Sequence, residues 1–386
     1  MNNLIINGHQ NKLNACLSVV EKGLPSKTTL PILNGILLEA GDDYLRFSSS
    51  NLELSIHAVE EEINIIEKGS IVLPGKLVDV VRQLSDDDVK ISVNDDNLRA
   101  EIKSGKAVFN LYGMDATEFP NFTTKAEWSE WNALEFSAVE LKDMLKKIIF
   151  AVSHDEGRPL FRAVMLKLEE NGNLTAVSTD TYRLARLQRL SKGNEQFDPV
   201  VLLVPGRVLT EIIKIIDATS DEMIKCYFKE KEIIFCYRQF TFSSRLLDGK
   251  FPEISGVFPL DYKTRVVINK IQFEKLLHRA ILLAHGQNQM ILLQINGNIL
   301  HVRASSDSGN MDEELYLDNK EGDDLEDILL NARFLLEPLR IINDDSVVLE
   351  FNGPLGPCIF YKQSENEGLK EIYQYLVLPI KTEKHS

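Results

Sequence analysis

The sequence predicts an α+β protein of three homologous domains, each with two helices packed on antiparallel sheets. Three observations carry that class. The strand–turn–helix stretch Leu73-Pro74-Gly75-Lys76 recurs as Val204-Pro205-Gly206-Arg207, 131 residues later, and more weakly as Leu330-Asn331-Ala332-Arg333, 126 residues after that. A strand upstream of each copy ends in a small polar pair, Ser50-Asn51, Thr179-Asp180 and Ser306-Asp307, spaced by 129 and 127 residues. Each copy also reads in the same order of helix, strands, second helix and alternating hairpin. Two landmarks agreeing on one domain-sized period indicate repeated domains rather than a solenoid.

The first helix of each copy follows from apolar residues at helical spacing: Leu13, Leu17 and Val20; Leu141, Leu145, Ile148 and Val152; Leu276, Ala280 and Leu283. Strands such as 35–39, 164–168 and 291–295 come next. The second helix starts at the Pro-Gly turn, and hairpins such as 89–93 and 232–236 alternate apolar with polar. The pattern places helices at 10–22, 75–84, 137–152, 206–217, 269–284 and 331–342. Pro338 falls inside the last of them, where it removes a backbone donor, so that helix is expected to kink or to be much shorter than its counterparts. Linkers are expected at 123–132, carrying Trp128 and Trp131, and at 255–264. The domains are then 1–124, 125–256 and 257–381, with a tail at 382–386.

The 386 residues are 44% hydrophobic and 26% charged, proportions of a folded chain that exclude disorder and collagen-like repeats. No apolar run approaches the ~18 residues that span a bilayer. The N-terminus lacks a basic segment leading into an apolar one, which points to a cytoplasmic protein with no membrane partner. Cys16, Cys226, Cys236 and Cys358 are too scattered for a disulfide framework, and a Cys226–Cys236 cross-strand bridge is the one pairing to test.

Net charge is −15, which argues against tight binding of nucleic acid on an open face. The distribution says more. The six helices hold fourteen basic and eight acidic residues, while the rest of the chain holds 29 and 50. Lysine and arginine are good helix formers and decorate any solvated helix face. Six equivalent helices sharing one sign instead suggest a basic lining for a polyanion, held loosely and without base reading.

Motifs for catalysis are missing. Ser153-His154-Asp155 has the residue types of a nucleophilic triad, yet adjacent residues cannot fold into that geometry. The seven histidines show no His-x-x-x-His spacing, no Cys-x-x-Cys occurs, and no glycine fingerprint or phosphate loop follows a strand. The runs Asp86-Asp87-Asp88 and Asp323-Asp324 lack calcium-loop spacing and read as solvated loops. The chain is expected to be a non-enzyme with no cofactor and no metal.

Four segments carry a family resemblance. Leu30-Pro31-Ile32-Leu33, Thr179-Asp180-Thr181-Tyr182-Arg183-Leu184-Ala185, Leu247-Asp248-Gly249-Lys250-Phe251-Pro252 and Tyr375-Leu376-Val377-Leu378-Pro379-Ile380-Lys381 resemble, in this order, motifs of the bacterial sliding clamp, the beta subunit of DNA polymerase III. The resemblance implies a head-to-tail homodimer whose six domains close a ring, with helices inside and sheets outside. It further implies that the ring encircles duplex DNA without sequence preference, is opened by a clamp loader, and tethers the replicative polymerase and other partners.

From the resemblance, a partner-peptide pocket is expected at Arg158, Phe161, Thr179, Thr181, Tyr182, Arg183, Leu184, Pro252, Val257, Leu376, Leu378, Pro379, Ile380 and Lys381, with Pro357 at its rim. Tyr182, Phe161, Ile380 and Lys381 stand where the family commonly has His, Leu, Met and Arg, which implies altered peptide preference. The DNA-facing set is Lys12, Lys27, Lys76, Arg82, Lys142, Lys146, Arg207, Lys214, Lys275, Arg279, Arg333 and Arg340. For ring closure, the resemblance together with charge complementarity implies that Lys103 and Lys106 face Asp312, Glu313 and Glu314, with Leu77, Leu282 and Leu283 as the candidates for apolar contact. Three rivals share the same sequence: an open, contact-dependent DNA-binding scaffold on this fold, a hydrolase using His154 or an acidic cluster, and a scaffold acting through the pocket alone.

Overall fold

The computed structural model describes residues 3–85, 87–94, 97–123, 125–190, 198–217, 219–220, 222–254, 256–286, 289–366 and 369–381. The expected tail at 382–386, Asp86 of the acidic run and Ser255 of the second linker lie outside these residues. Seven α-helices occur among the described residues: α1 (Gln10–Val20), α2 (Lys76–Gln83), α3 (Lys125–Trp128), α4 (Ala138–Ile148), α5 (Gly206–Ile215), α6 (Lys270–Leu283) and α7 (Ala332–Leu339). Six match the expected helices to within a few residues at each end. The seventh, α3, is a short turn inside the first linker that buries Trp128 against the Tyr227 ring, 4.7 Å between centroids.

Local chemistry explains where these helices begin. Ser137 and Glu140 form a reciprocal capping box at α4: the Glu140 amide donates to Ser137 Oγ, and the Ser137 amide to the Glu140 carboxylate, each at 3.2 Å. Asn269 caps α6 by accepting the Gln272 amide at 3.1 Å, and Asn331 caps α7 by accepting the Arg333 amide at 2.9 Å. Pro338 lies inside α7, one residue before the helix ends at Leu339. The helix is eight residues long, as is α2, so the expectation that it is much shorter than its counterparts is corrected.

Packing divides the chain into two compact units, one of residues 1–142 with 208–246, the other of 143–207 with 247–386. The division runs through the middle repeat because sheets continue across repeat boundaries. In the first unit, the eight-stranded sheet runs Asn132–Ser137, Met223–Lys229, Glu232–Tyr237, Phe240–Arg245, Leu54–Glu60, Leu45–Ser50, Gly35–Ala40 and Gly69–Pro74. Its junction pairs Phe240–Arg245 antiparallel with Leu54–Glu60. In the second unit, a nine-stranded sheet makes the equivalent junction between Arg183–Leu190 and Leu369–Val377. Each unit adds a smaller sheet, which ends on Ala107–Tyr112 in the first and on Gly309–Tyr316 in the second. Helices pack in pairs, α1 with α2 and α6 with α7.

All four cysteines are free thiols. The strand register sets Cys226 opposite Phe235 and Cys236 opposite Lys225, so the two sulfurs belong to opposite faces of the sheet and no bridge forms. No helix is long and apolar enough to cross a membrane, and no cluster of metal-ligating residues occurs, both among the described residues.

Candidate partner-binding site

The second junction builds a surface from chain segments far apart in sequence. Leu184 pairs directly with Leu376 across the junction strands. Both are core residues, 4% and 2% exposed, packed with Met165, Val177, Leu203, Phe251, Phe258 and Ile359. They form the floor. Above them the chain turns sharply at Thr179–Arg183. Thr179 Oγ1 donates to the Arg183 carbonyl at 2.6 Å and accepts the Thr181 amide at 3.0 Å, while the Asp180 carboxylate takes the Tyr182 and Arg183 amides at 3.0 Å.

That turn forces Thr181 to φ +78°, a left-handed conformation that is a genuine outlier for a β-branched residue. Strain of this kind persists where the surroundings over-determine the backbone, and it clusters at ligand clamps. One result is that Tyr182 is pushed outward, 59% exposed, while its carbonyl accepts the Leu378 amide at 2.9 Å. Leu378 is 42% exposed beside it. Past Pro379, the Ile380 amide donates to the Leu329 carbonyl at 2.8 Å, which ties down the end of the described chain.

A second wall comes from the 3₁₀ turn Pro159–Arg162 and its approach. Arg158 donates from Nε to Asp155 at 2.8 Å and from Nη1 to Thr181 Oγ1 at 2.9 Å, and it lies against the Tyr182 hydroxyl. The Arg158 guanidinium holds the Asp155 carboxyl below its ordinary range, helped by the Gly157 amide. Phe161 meets Phe251 edge-on at 6.4 Å. Gly249 closes this wall at φ +134°, where a Cβ would come within 2.7 Å of Leu160, so the turn before Phe251-Pro252 requires glycine. Pro252 and Val257 lie exposed at the edge, and Pro357 directly precedes Cys358, the partner of Val377.

The surface therefore sets exposed Tyr182, Leu378 and Val257 beside an apolar floor, with the Arg158 guanidinium held against Asp155, Thr181 and Tyr182. Two expected contact residues have other roles. Arg183 is buried, with Nε on Asp180 at 2.9 Å, Nη2 on the Phe150 carbonyl at 2.7 Å and Nη1 on Glu337 of α7, and its guanidinium stacks on Phe334 at 4.2 Å. Thr179 is spent on the turn. Sequence reasoning missed Phe258, Ile359 and Met165, which build the floor; their one available signal was strand alternation, shared by every core residue.

Ser153-His154-Asp155 is a turn: Ser153 Oγ accepts the Asp155 amide at 3.1 Å and the Asp155 carboxylate belongs to Arg158 and Gly157. Of the twelve expected DNA-facing cations, ten are exposed, while Lys12 and Lys142 are half-buried. Lys142 Nζ donates to the Ile216 carbonyl at 2.5 Å. Several others meet carboxylates, including Lys76 on Asp79, Arg82 on Glu21, and Arg279 on Glu313. Leu77, expected at the interface between subunits, is fully buried in its own unit on the inner face of α2, and that expectation is corrected. Leu282 is exposed and Leu283 half-buried beside Gly309.

Three family models match the chain in succession: the N-terminal domain of the DNA polymerase III beta subunit over residues 4–123, the central domain over 135–253 and the C-terminal domain over 255–380. A beta sliding clamp of Staphylococcus epidermidis is 33% identical over 382 residues, covering 96% of this chain and 97% of the relative. One from Staphylococcus aureus is 32% identical over 372 residues, covering 94% and 95%. Among solved structures, the DNA polymerase sliding clamp from Bacillus subtilis superposes with a TM-score of 0.90 at 29% identity, covering 99% of this chain and all of that one. A putative DNA polymerase III beta subunit from Eubacterium rectale gives 0.88 at 29%, covering 98% and 100%. The class defined is a three-domain clamp. The chain belongs to the DNA polymerase III beta subunit family, the beta sliding clamps. It is a non-catalytic processivity factor of DNA replication.

Proposed function

We propose that two copies close head to tail into a ring that encircles duplex DNA, and that the surface at the second junction takes short peptide motifs of the polymerase, the clamp loader and other partners. One observation carries this reading. Of three equivalent junctions in the repeat, two are paired within the chain, and the third is left as two open strand edges, Ala107–Tyr112 and Gly309–Tyr316. These edges expose Val108, Phe109, Tyr112 and Tyr316, and unpaired apolar edges are templates for another chain.

The internal junctions also supply the register. Phe242 lies opposite Ile56, and Tyr375 opposite Ala185. Carried to the third junction by the repeat, the same pairing sets Phe109 opposite Met311, Asn110 opposite Asn310, and Lys106 opposite Glu314 of the second copy. Lys106 and Glu314 then complement one another in charge, with Lys103 and Asp312 in the neighbouring row and Leu283 packed behind Gly309. Glu313 is already held by Arg279 within the chain.

The domains are taken as 1–124, 125–256 and 257–381. In the closed ring, the helix cations face the DNA while topology supplies retention, so weak phosphate contact suffices and an acidic exterior discourages DNA outside. A cytoplasmic place of action follows from chromosomal DNA as the partner. The test is retention of labelled protein on nicked circular DNA after loading with loader and ATP. Release on cutting the circle is the expected result; unchanged retention would sink the ring in favour of a contact-dependent scaffold. The register has its own test: Asn110→Cys with Asn310→Cys is expected to give a covalent dimer on oxidation, and an uncrosslinked product overturns the pairing.

A further inference from the structure

The second helices of the middle and last repeats carry one charge pattern. In α5 it is Arg207, Glu211 and Lys214; in α7 it is Arg333, Glu337 and Arg340, each set at i, i+4 and i+7 on one helical face. The acids behave differently. Glu211 binds its own helix's Lys214 at 2.8 Å. Glu337 instead binds Arg183, which reaches it from 154 positions away in sequence. Among the described residues, neither Arg333 nor Arg340 has an ion-pair partner, and both are exposed.

The origin of the difference lies one repeat back. Arg183 occupies the position that Leu54 holds 129 residues earlier, and Leu54 is a buried apolar side chain with nothing to offer an acid. Arg183 is locked for this role. Its fork is divided between Asp180, the Phe150 carbonyl and Glu337, and its plane stacks on Phe334 of α7. Such a planar, multiply bonded guanidinium holds a carboxylate in one place, which a lysine cannot do as well.

We propose that Arg183 is a positioning residue that draws Glu337 away from the cations of α7, leaving Arg333 and Arg340 free to meet a polyanion. The DNA part of this rests on reading the helices as the DNA-facing surface. Without Arg183, Glu337 turns to Arg333 at i−4 and Arg340 at i+3, and α7 becomes quenched as α5 is at Lys214. Because Arg183 belongs to the turn at the second junction, one ion pair also joins the partner-binding surface to the cationic helix.

The experiment reads the arginines directly. Full-length protein is treated with phenylglyoxal, and modification of Arg333 and Arg340 is followed by mass spectrometry. Arg183→Gln is expected to slow both roughly two- to fivefold, the range of an exposed helical ion pair. Adding Glu337→Gln is expected to restore the original rates. Unchanged rates in Arg183→Gln, or no recovery in the double variant, overturn the proposal. If Arg183→Gln does not fold, Arg183→Lys decides by the same criterion, with an intermediate slowing expected. A duplex oligonucleotide titrated at several salt concentrations then reads the DNA part. Arg183→Gln is expected to flatten the salt dependence by up to ~0.9 per lost phosphate contact, and the double variant to recover it. Slower modification with an unchanged salt slope overturns the polyanion role, and with it the DNA-facing assignment of α7, while the ionic role of Arg183 stands.

Discussion

The two junctions within the chain share a backbone and differ in chemistry. Both pair a strand of one repeat with a strand of the next, and both follow a turn with a left-handed residue, Leu52 at φ +72° and Thr181 at φ +78°. Where the second junction sets Leu184 opposite Leu376, the first sets Ser55 opposite Ser243. Ser243 donates to Glu232 at 2.5 Å, and Glu232 also takes the Thr123 hydroxyl at 3.1 Å. On the same side of the first unit's sheet lies a wide groove of about 1370 Å³, lined in part by Leu37, His57, Phe119, Phe122 and Tyr227. The repeat thus provides the turn, the strands and an apolar cluster twice, but a pair of leucines facing each other across the junction only once. A fold supplies the scaffold, and side chains give each copy its own surface chemistry.

Four changes break or sharpen that contrast. The largest effect belongs to Leu184→Ser with Leu376→Ser, which makes the second junction imitate the first. Removing two buried leucines is expected to cost about 4 kcal/mol or more in urea unfolding and to abolish binding of an apolar clamp-motif peptide by calorimetry. A variant that keeps its peptide affinity would show that the floor is irrelevant. The reverse exchange, Ser55→Leu with Ser243→Leu, leaves Glu232 short of a donor. It is expected to lose about 2 kcal/mol and to gain no peptide binding, because the first unit has no counterpart of Arg158.

His57 provides a smaller effect. It occupies the repeat position of Arg186, bonds Ser48 Oγ at 2.8 Å and meets Phe122 edge-on at 4.3 Å. Burial, aided by the Arg46 charge, lowers its pKa to about 4. The unfolded chain therefore binds more protons between about pH 6.5 and 4, so stability falls as pH drops through that window. The ring still touches groove water, so a loss of about 1 kcal/mol is expected, and His57→Gln should flatten the dependence. Equal slopes for both proteins would remove His57 from the account. The smallest effect is Thr181→Gly, which relieves the left-handed strain. A gain below about 1 kcal/mol in thermal unfolding is expected, together with weaker peptide binding as Arg158 loses its Oγ1 partner.

Much of the molecule was legible because its signals are local. The recurring Pro-Gly turn, the apolar stripes of α1 and α6 and the alternating hairpins placed six helices. The apolar floor of the second junction was legible only through motif likeness, since Leu376 reads as any alternating strand residue until Leu184 is set beside it. Arg183 and Leu77 show the limit. Each bears the right residue type for contact with a partner, and each is buried within its own unit.

By itself, the sequence determined the repeat, the helix ends and the bias of positive charge toward helices, because spacing and capping act over a few residues. The tertiary structure decided which leucines share a floor, why the middle repeat is shared between two units, and which cation each of two equivalent acids binds. Those outcomes depend on pairing between strands distant in sequence, and on whether the residue that arrives there is an arginine or a leucine.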